Sequence, residues 1–140
     1  KDLDFIIVDM PPGTGDTQLT FSQEIKMDGA IIVSTPQEVA LLDVKRGIKM
    51  FDKLNVKILG LVDNMSYFVG DDGKKYKIFG EGGVKKTAEE FNKDFLGEIP
   101  INPEVGSSGD KGKPIVEENP NNEISKIFLG LAEKVKKDFL

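Results

Sequence analysis

Phe5-Ile6-Ile7-Val8-Asp9-Met10-Pro11-Pro12-Gly13-Thr14-Gly15-Asp16 is the stretch whose reading decides the fold. Four apolar residues run into an aspartate and then into a Pro-Pro-Gly-Thr-Gly turn. A short continuous apolar run bounded by turn residues suits a strand buried on both faces, here residues 4–9. An acid at the carboxyl end of such a strand stands where open α/β sheets bind their ligands. Gly13, with no Cβ in the way, can bring a backbone N–H close to an anion. The stretch therefore reads as the half of a nucleotide site that holds the metal and senses the terminal phosphate. The other half is missing from the sequence. A phosphate-binding loop of the form G-x-x-x-x-G-K-[ST] occurs nowhere in the 140 residues, and Gly80-Glu81-Gly82-Gly83-Val84-Lys85-Lys86 has the wrong spacing.

Working outward, strands alternate with helices. Helix is expected from Asp16 or Thr17 as cap to about 26, and strand at 30–34, broken by Thr35-Pro36. A helix follows over 37–54, with Val39, Leu42, Ile48, Met50, Phe51 and Leu54 at helical spacing. A strand at 57–63 ends in Asn64-Met65-Ser66. Aromatic and β-branched arms around Gly70-Asp71-Asp72-Gly73 predict a small hairpin near 67–79. Helix 83–92, a short strand 95–99 closed by Pro100, a polar Gly-rich segment 102–113 and a last helix 122–139 complete the chain. This alternation argues α/β, with a mostly parallel sheet flanked by helices.

Composition bounds the chemistry. Net charge is −5, from 24 acids and 19 bases, which disfavours sequence-independent binding to nucleic acid. No apolar run approaches the roughly 20 residues that span a bilayer. There is no Cys and no His, so this polypeptide alone can build neither a thiolate metal site nor a His-based hydrolytic triad.

Five linked motifs carry a family resemblance: Asp9-Met10-Pro11-Pro12-Gly13-Thr14-Gly15-Asp16; Thr35-Pro36-Gln37-Glu38-Val39-Ala40-Leu41-Leu42-Asp43-Val44; Asn64-Met65-Ser66-Tyr67-Phe68; Ile78-Phe79-Gly80-Glu81-Gly82-Gly83; and Gly97-Glu98-Ile99-Pro100. In this order and spacing the chain resembles the C-terminal part of the Mrp/ApbC family, MinD-like P-loop ATPases that carry iron–sulfur clusters. The resemblance implies a single P-loop ATPase domain of which 1–140 is the later part. The P-loop strand, the phosphate-binding lysines and the switch I acid would then lie outside the 140 residues, and the chain alone would not hydrolyse ATP. It implies that Asp9 holds Mg²⁺ through a water and that Gly13 gives an N–H to the γ-phosphate. It further implies that Pro11 stiffens their loop, that Asn64 reads the adenine edge and that Pro100 packs on the ring. The bland alternatives are an acid capping a turn for Asp9, a turn glycine for Gly13 and an Asn bonding its own backbone for Asn64. ATP, a homodimer, apo iron–sulfur client proteins and a cytoplasmic location come with the family, without a membrane anchor. Where most members carry Cys-x-x-Cys, this chain reads Phe68-Val69-Gly70-Asp71-Asp72-Gly73-Lys74. Thiolate is the ligand that clusters require, so the expectation is a hairpin kept and its metal lost. The alternative function is a cluster-free nucleotide switch or a MinD/ParA-like positioning ATPase. The last helix, with Ile124, Ile127, Phe128, Leu131, Val135 and Phe139 along one side, is expected to cover its own sheet rather than a membrane.

Overall fold

The computed structural model describes residues 3–11 and 15–139. Its centre is a mixed sheet in which β2 (Ile58–Val69) is flanked by β1 (Ala30–Ser34) and β4 (Phe95–Ile101), both parallel to it. A two-residue strand, β3 (Lys75–Tyr76), pairs antiparallel with the far end of β2, Phe68 opposite Tyr76 and Val69 opposite Lys75. The hairpin is thus present, and its return arm is shorter than residues 76–79 suggested.

Helix α1 (Asp16–Glu24) has Gly15 as its N-cap, one residue before the expected Asp16. Helix α2 (Glu38–Lys53) crosses from β1 to β2, and α3 (Gly83–Glu90) lies beside it. Between them and the sheet, Val44, Ile48, Leu61, Val84 and Ala88 form one core cluster. The opposite face of the sheet is covered by α6 (Glu123–Lys136), where Val62, Leu96 and Ile99 meet Ile127, Phe128, Leu131 and Val135. The apolar stripe of the last helix is therefore core from Ile124 to Val135, as its spacing suggested, while Phe139 lies past the end of the helix and is exposed. Before it come α4 (Pro103–Asp110) and the short α5 (Ile115–Glu118).

Glycines 82 and 83 open α3. Gly82 is its N-cap in a left-handed conformation (φ 65°), and a Cβ on Gly83 would lie 2.8 Å from the Pro36 carbonyl oxygen. This close approach seats the Gly-rich turn against Thr35-Pro36 at the end of β1.

Three expectations need correction. Residues 4–9 do not form a buried strand: the segment makes no ladder with the sheet, and Phe5, Ile6, Ile7 and Val8 are exposed, Ile7 to 94%. The physical reason is pairing. A strand buried on both faces needs a neighbour for its N–H and C=O groups, and none of the described strands lies alongside it. Val39 and Leu42 point to solvent although they keep helical spacing with Ile48, because the buried side of α2 is the Val44–Ile48 side. Residues 103–110, within the polar Gly-rich segment for which no element is expected, are helix. Asn102 caps it by accepting from the Glu104 N–H at 2.7 Å, and Pro103 occupies its first turn.

Candidate functional site

The sheet gathers polar residues where its parallel strands end. Ser34 on β1 stands in register with Asp63 on β2, Asp63 with Glu98 on β4, and Asn64 with Ile99. Ligands of open α/β sheets bind outside this edge. Of the residues expected to form a site, the structure puts Asn64 and Pro100 on adjacent strands: Asn64 stands in register with Ile99, and Pro100, which is buried, is the next residue. Asn64 is half-buried and presents an amide, which offers both a donor and an acceptor.

Asp9 and Pro11 lie on the segment outside the sheet and are exposed. The carbonyl of Pro11 accepts from Gln18 Nε2 at 2.7 Å, tying the loop to α1. Farther back, the Phe5 ring meets Phe139 edge-on, with centroids 6.1 Å apart. Asp138, beside Phe139, pairs with Lys57 at the entry to β2. The apolar run thus starts at the end of the sheet opposite Asn64. Gly13 lies outside the described residues.

Two residues at the ligand edge escaped the sequence reading. Asp63 is 1% exposed, and its Oδ1 has no hydrogen-bond partner. Burial pushes its pKa up to about 6, with the neighbouring Glu98 carboxylate adding to the rise and Lys77 opposing it. Its signal was visible: Leu61-Val62-Asp63 repeats the apolar-run-then-acid pattern of Ile7-Val8-Asp9. Ser66 is buried and donates to the Ile99 carbonyl at 3.2 Å, a tertiary bond that no local pattern announces.

The hairpin is closed by contacts among its own residues. Asp72 accepts from the Lys74 N–H at 3.0 Å and from the Tyr76 hydroxyl at 2.8 Å. These bonds, the backbone one first, keep its pKa below the ordinary carboxylate value. The Lys75 ammonium sits 4.1 Å over the Tyr67 ring. Asp71-Asp72 is therefore a turn, and among the described residues no group of three or more His, Cys, Asp or Glu converges on a point. A largely apolar cavity of about 540 Å³ opens among α4, α5 and α6, and none of the candidate residues lines it.

Comparison with known proteins agrees with this fold. The ParA family, described as "NUBPL iron-transfer P-loop NTPase", matches residues 1–136. An iron–sulfur cluster carrier protein of Aquifex aeolicus is 48% identical over 132 residues, which is 94% of this chain and 36% of the relative. The chain spans a little over a third of the length of the curated relatives it matches first, with shares of 36%, 38% and 36%. A nucleotide-binding protein of Archaeoglobus fulgidus, solved in complex with ADP, superposes with a TM-score of 0.69 at 37% identity, over 82% of this chain and 46% of that one. The MinD protein of Pyrococcus horikoshii superposes with a TM-score of 0.63 over 79% of this chain and 42% of its own, and at 24% identity it speaks for the fold alone. With the family matched from residue 1 to residue 136, the chain belongs to the ParA family of iron-transfer P-loop NTPases.

Proposed function

We propose that this chain is the later part of an iron–sulfur cluster carrier ATPase and supplies the metal, γ-phosphate and base-reading parts of its nucleotide site. The observation that carries the reading is the pair formed by Asn64 and buried Pro100 on adjacent parallel strands at the ligand edge. An amide with a donor and an acceptor on one strand, and a proline ring on the next, fit an adenine edge and face. Asp9 is an exposed hard-oxygen donor, the type Mg²⁺ takes through water, and Gly13 is its partner at the γ-phosphate. Bound Mg²⁺ would neutralise the charge developing on the phosphoryl group. In such enzymes catalysis is mostly positioning plus electrostatic stabilisation, and the lysines that do most of it come from sequence upstream of Lys1.

A second feature agrees. The exposed large apolar side chains concentrate in the first third of the chain, among them Ile6, Ile7, Ile31, Val33, Val39 and Leu42. Apolar surface of this kind marks a face that another segment covers, here the part holding the phosphate-binding loop. The working unit is a cytoplasmic homodimer that serves apo iron–sulfur proteins.

The test is nucleotide binding. The 140-residue chain binds ATP no tighter than millimolar, and the protein with its upstream residues restored binds it at micromolar levels. An upstream sequence without a lysine-bearing Gly-rich loop, or tight binding by the 140 residues alone, sinks the reading.

One observation favours a narrower form. With no Cys in 140 residues and a hairpin held by Asp72, Tyr76 and Lys75, this part of the protein offers a cluster no thiolate. In that form the protein is a nucleotide switch without a cluster at this hairpin. Anaerobic reconstitution of the longer protein with iron and sulfide then yields no stable chromophore, and a stable one rejects the narrower form.

A further inference from the structure

Beta strand β2 does something unusual just past Asn64. Between the register pairs Asn64–Ile99 and Phe68–Ile101 it spends four residues where β4 spends two. Met65, inside this bulge, adopts a left-handed backbone (φ 56°), which a non-glycine residue rarely does within a strand. Such outliers cluster at functional sites, where the surroundings over-determine them. The consequence here is local and specific. The turn at Met65 delivers the next side chain, Ser66, to the sheet interior, where its hydroxyl donates to the Ile99 carbonyl at 3.2 Å.

That carbonyl belongs to the peptide bond joining Ile99 to Pro100. The peptide is planar and the proline ring fixes its own φ, so a bond to this carbonyl also orients the ring. Ser66 therefore links the two walls expected to hold the base: it follows Asn64 by two residues on one strand, and it grips the peptide that carries Pro100 on the other. We infer that Ser66 is the positioning residue of the base slot, setting the spacing between the Asn64 amide and the Pro100 ring and with it the preference for adenine over guanine. The inference rests on the proposed nucleotide site and adds to it the residue that governs base selectivity. Ser66 itself needs no contact with nucleotide.

The experiment measures dissociation constants of MgATP, MgGTP and inorganic tripolyphosphate for the longer protein and three variants: Ser66→Ala, Ser66→Thr and Asn64→Ala. Tripolyphosphate lacks the base and reads only the phosphate end. Ser66→Ala is expected to weaken MgATP about tenfold, the effect of one buried hydrogen bond, and to shrink the preference for ATP over GTP. Tripolyphosphate binding stays unchanged, and Ser66→Thr, which keeps the hydroxyl, retains most of the affinity and selectivity. Two results overturn the inference and spare the nucleotide site: Ser66→Ala binding MgATP and MgGTP like the parent while Asn64→Ala weakens MgATP, or Ser66→Ala weakening tripolyphosphate as much as MgATP. Asn64→Ala binding MgATP like the parent overturns the base slot and this inference with it.

Discussion

Replacing Asp63 by asparagine is expected to make the chain more stable at pH 7, by up to about 3 kcal/mol, and to remove a pH dependence of its stability. Asp63 is almost fully buried, faces Glu98 across the β2–β4 register and leaves one oxygen without a partner. Burial first, and Glu98 second, raise its pKa from the ordinary 3.8 to about 6, with Lys77 only partly offsetting them. The folded chain therefore keeps a proton that the unfolded chain releases between pH 3.8 and about 6. In that window the unfolded state binds fewer protons, so stability falls as pH rises, and the full penalty persists above pH 6. An amide of the same shape never ionises, which removes both the slope and the penalty. Urea unfolding at pH 4, 5, 6 and 7 checks this. The parent loses stability across the series and Asp63→Asn loses little of it; parallel curves for the two proteins contradict the account.

A carboxylate that costs stability at the ligand edge, one residue from Asn64, departs from what folding alone favours. Sequences break local rules of this kind mainly where function asks for it.

How much could be read beforehand differs by element, for physical reasons. β1, β2, β4 and α2, α3 and α6 are written in local periodicity, because each lays one apolar face against the others. Residues 4–9 carry the same apolar signal, but whether such a run becomes a strand depends on a neighbour to share its ladder, and periodicity records no neighbours. Helix α4 was obscured by its glycines, although Asn102-Pro103-Glu104 is a legible helix start. At the site, Asn64 and Pro100 follow from the motif, and the sheet puts them on adjacent strands, Asn64 opposite Ile99. Asp9 is legible as a residue type, yet the structure leaves it on a segment apart from the sheet. Ser66 could not be found from sequence, since its role comes from a bulge and one tertiary hydrogen bond.

The second large effect concerns Asp9. If it holds Mg²⁺ through a water, Asp9→Asn keeps the shape of the side chain and removes the charge that orders the ion. A metal at a transferring phosphoryl group supplies several kcal/mol of transition-state stabilisation, so losing part of its anchorage should slow turnover on the order of a hundredfold. ATP affinity should change far less, because the base end at Asn64 and Pro100 is untouched.

The most direct measurement of the central claim is magnesium-dependent ATP turnover by three proteins: the 140-residue chain, the protein with the residues upstream of Lys1 restored, and that longer protein carrying Asp9→Asn. A site split between this chain and an upstream phosphate-binding loop predicts no turnover for the first, steady turnover for the second and a loss on the order of a hundredfold for the third. Turnover by the 140 residues alone, or an Asp9→Asn protein as fast as its parent, contradicts it.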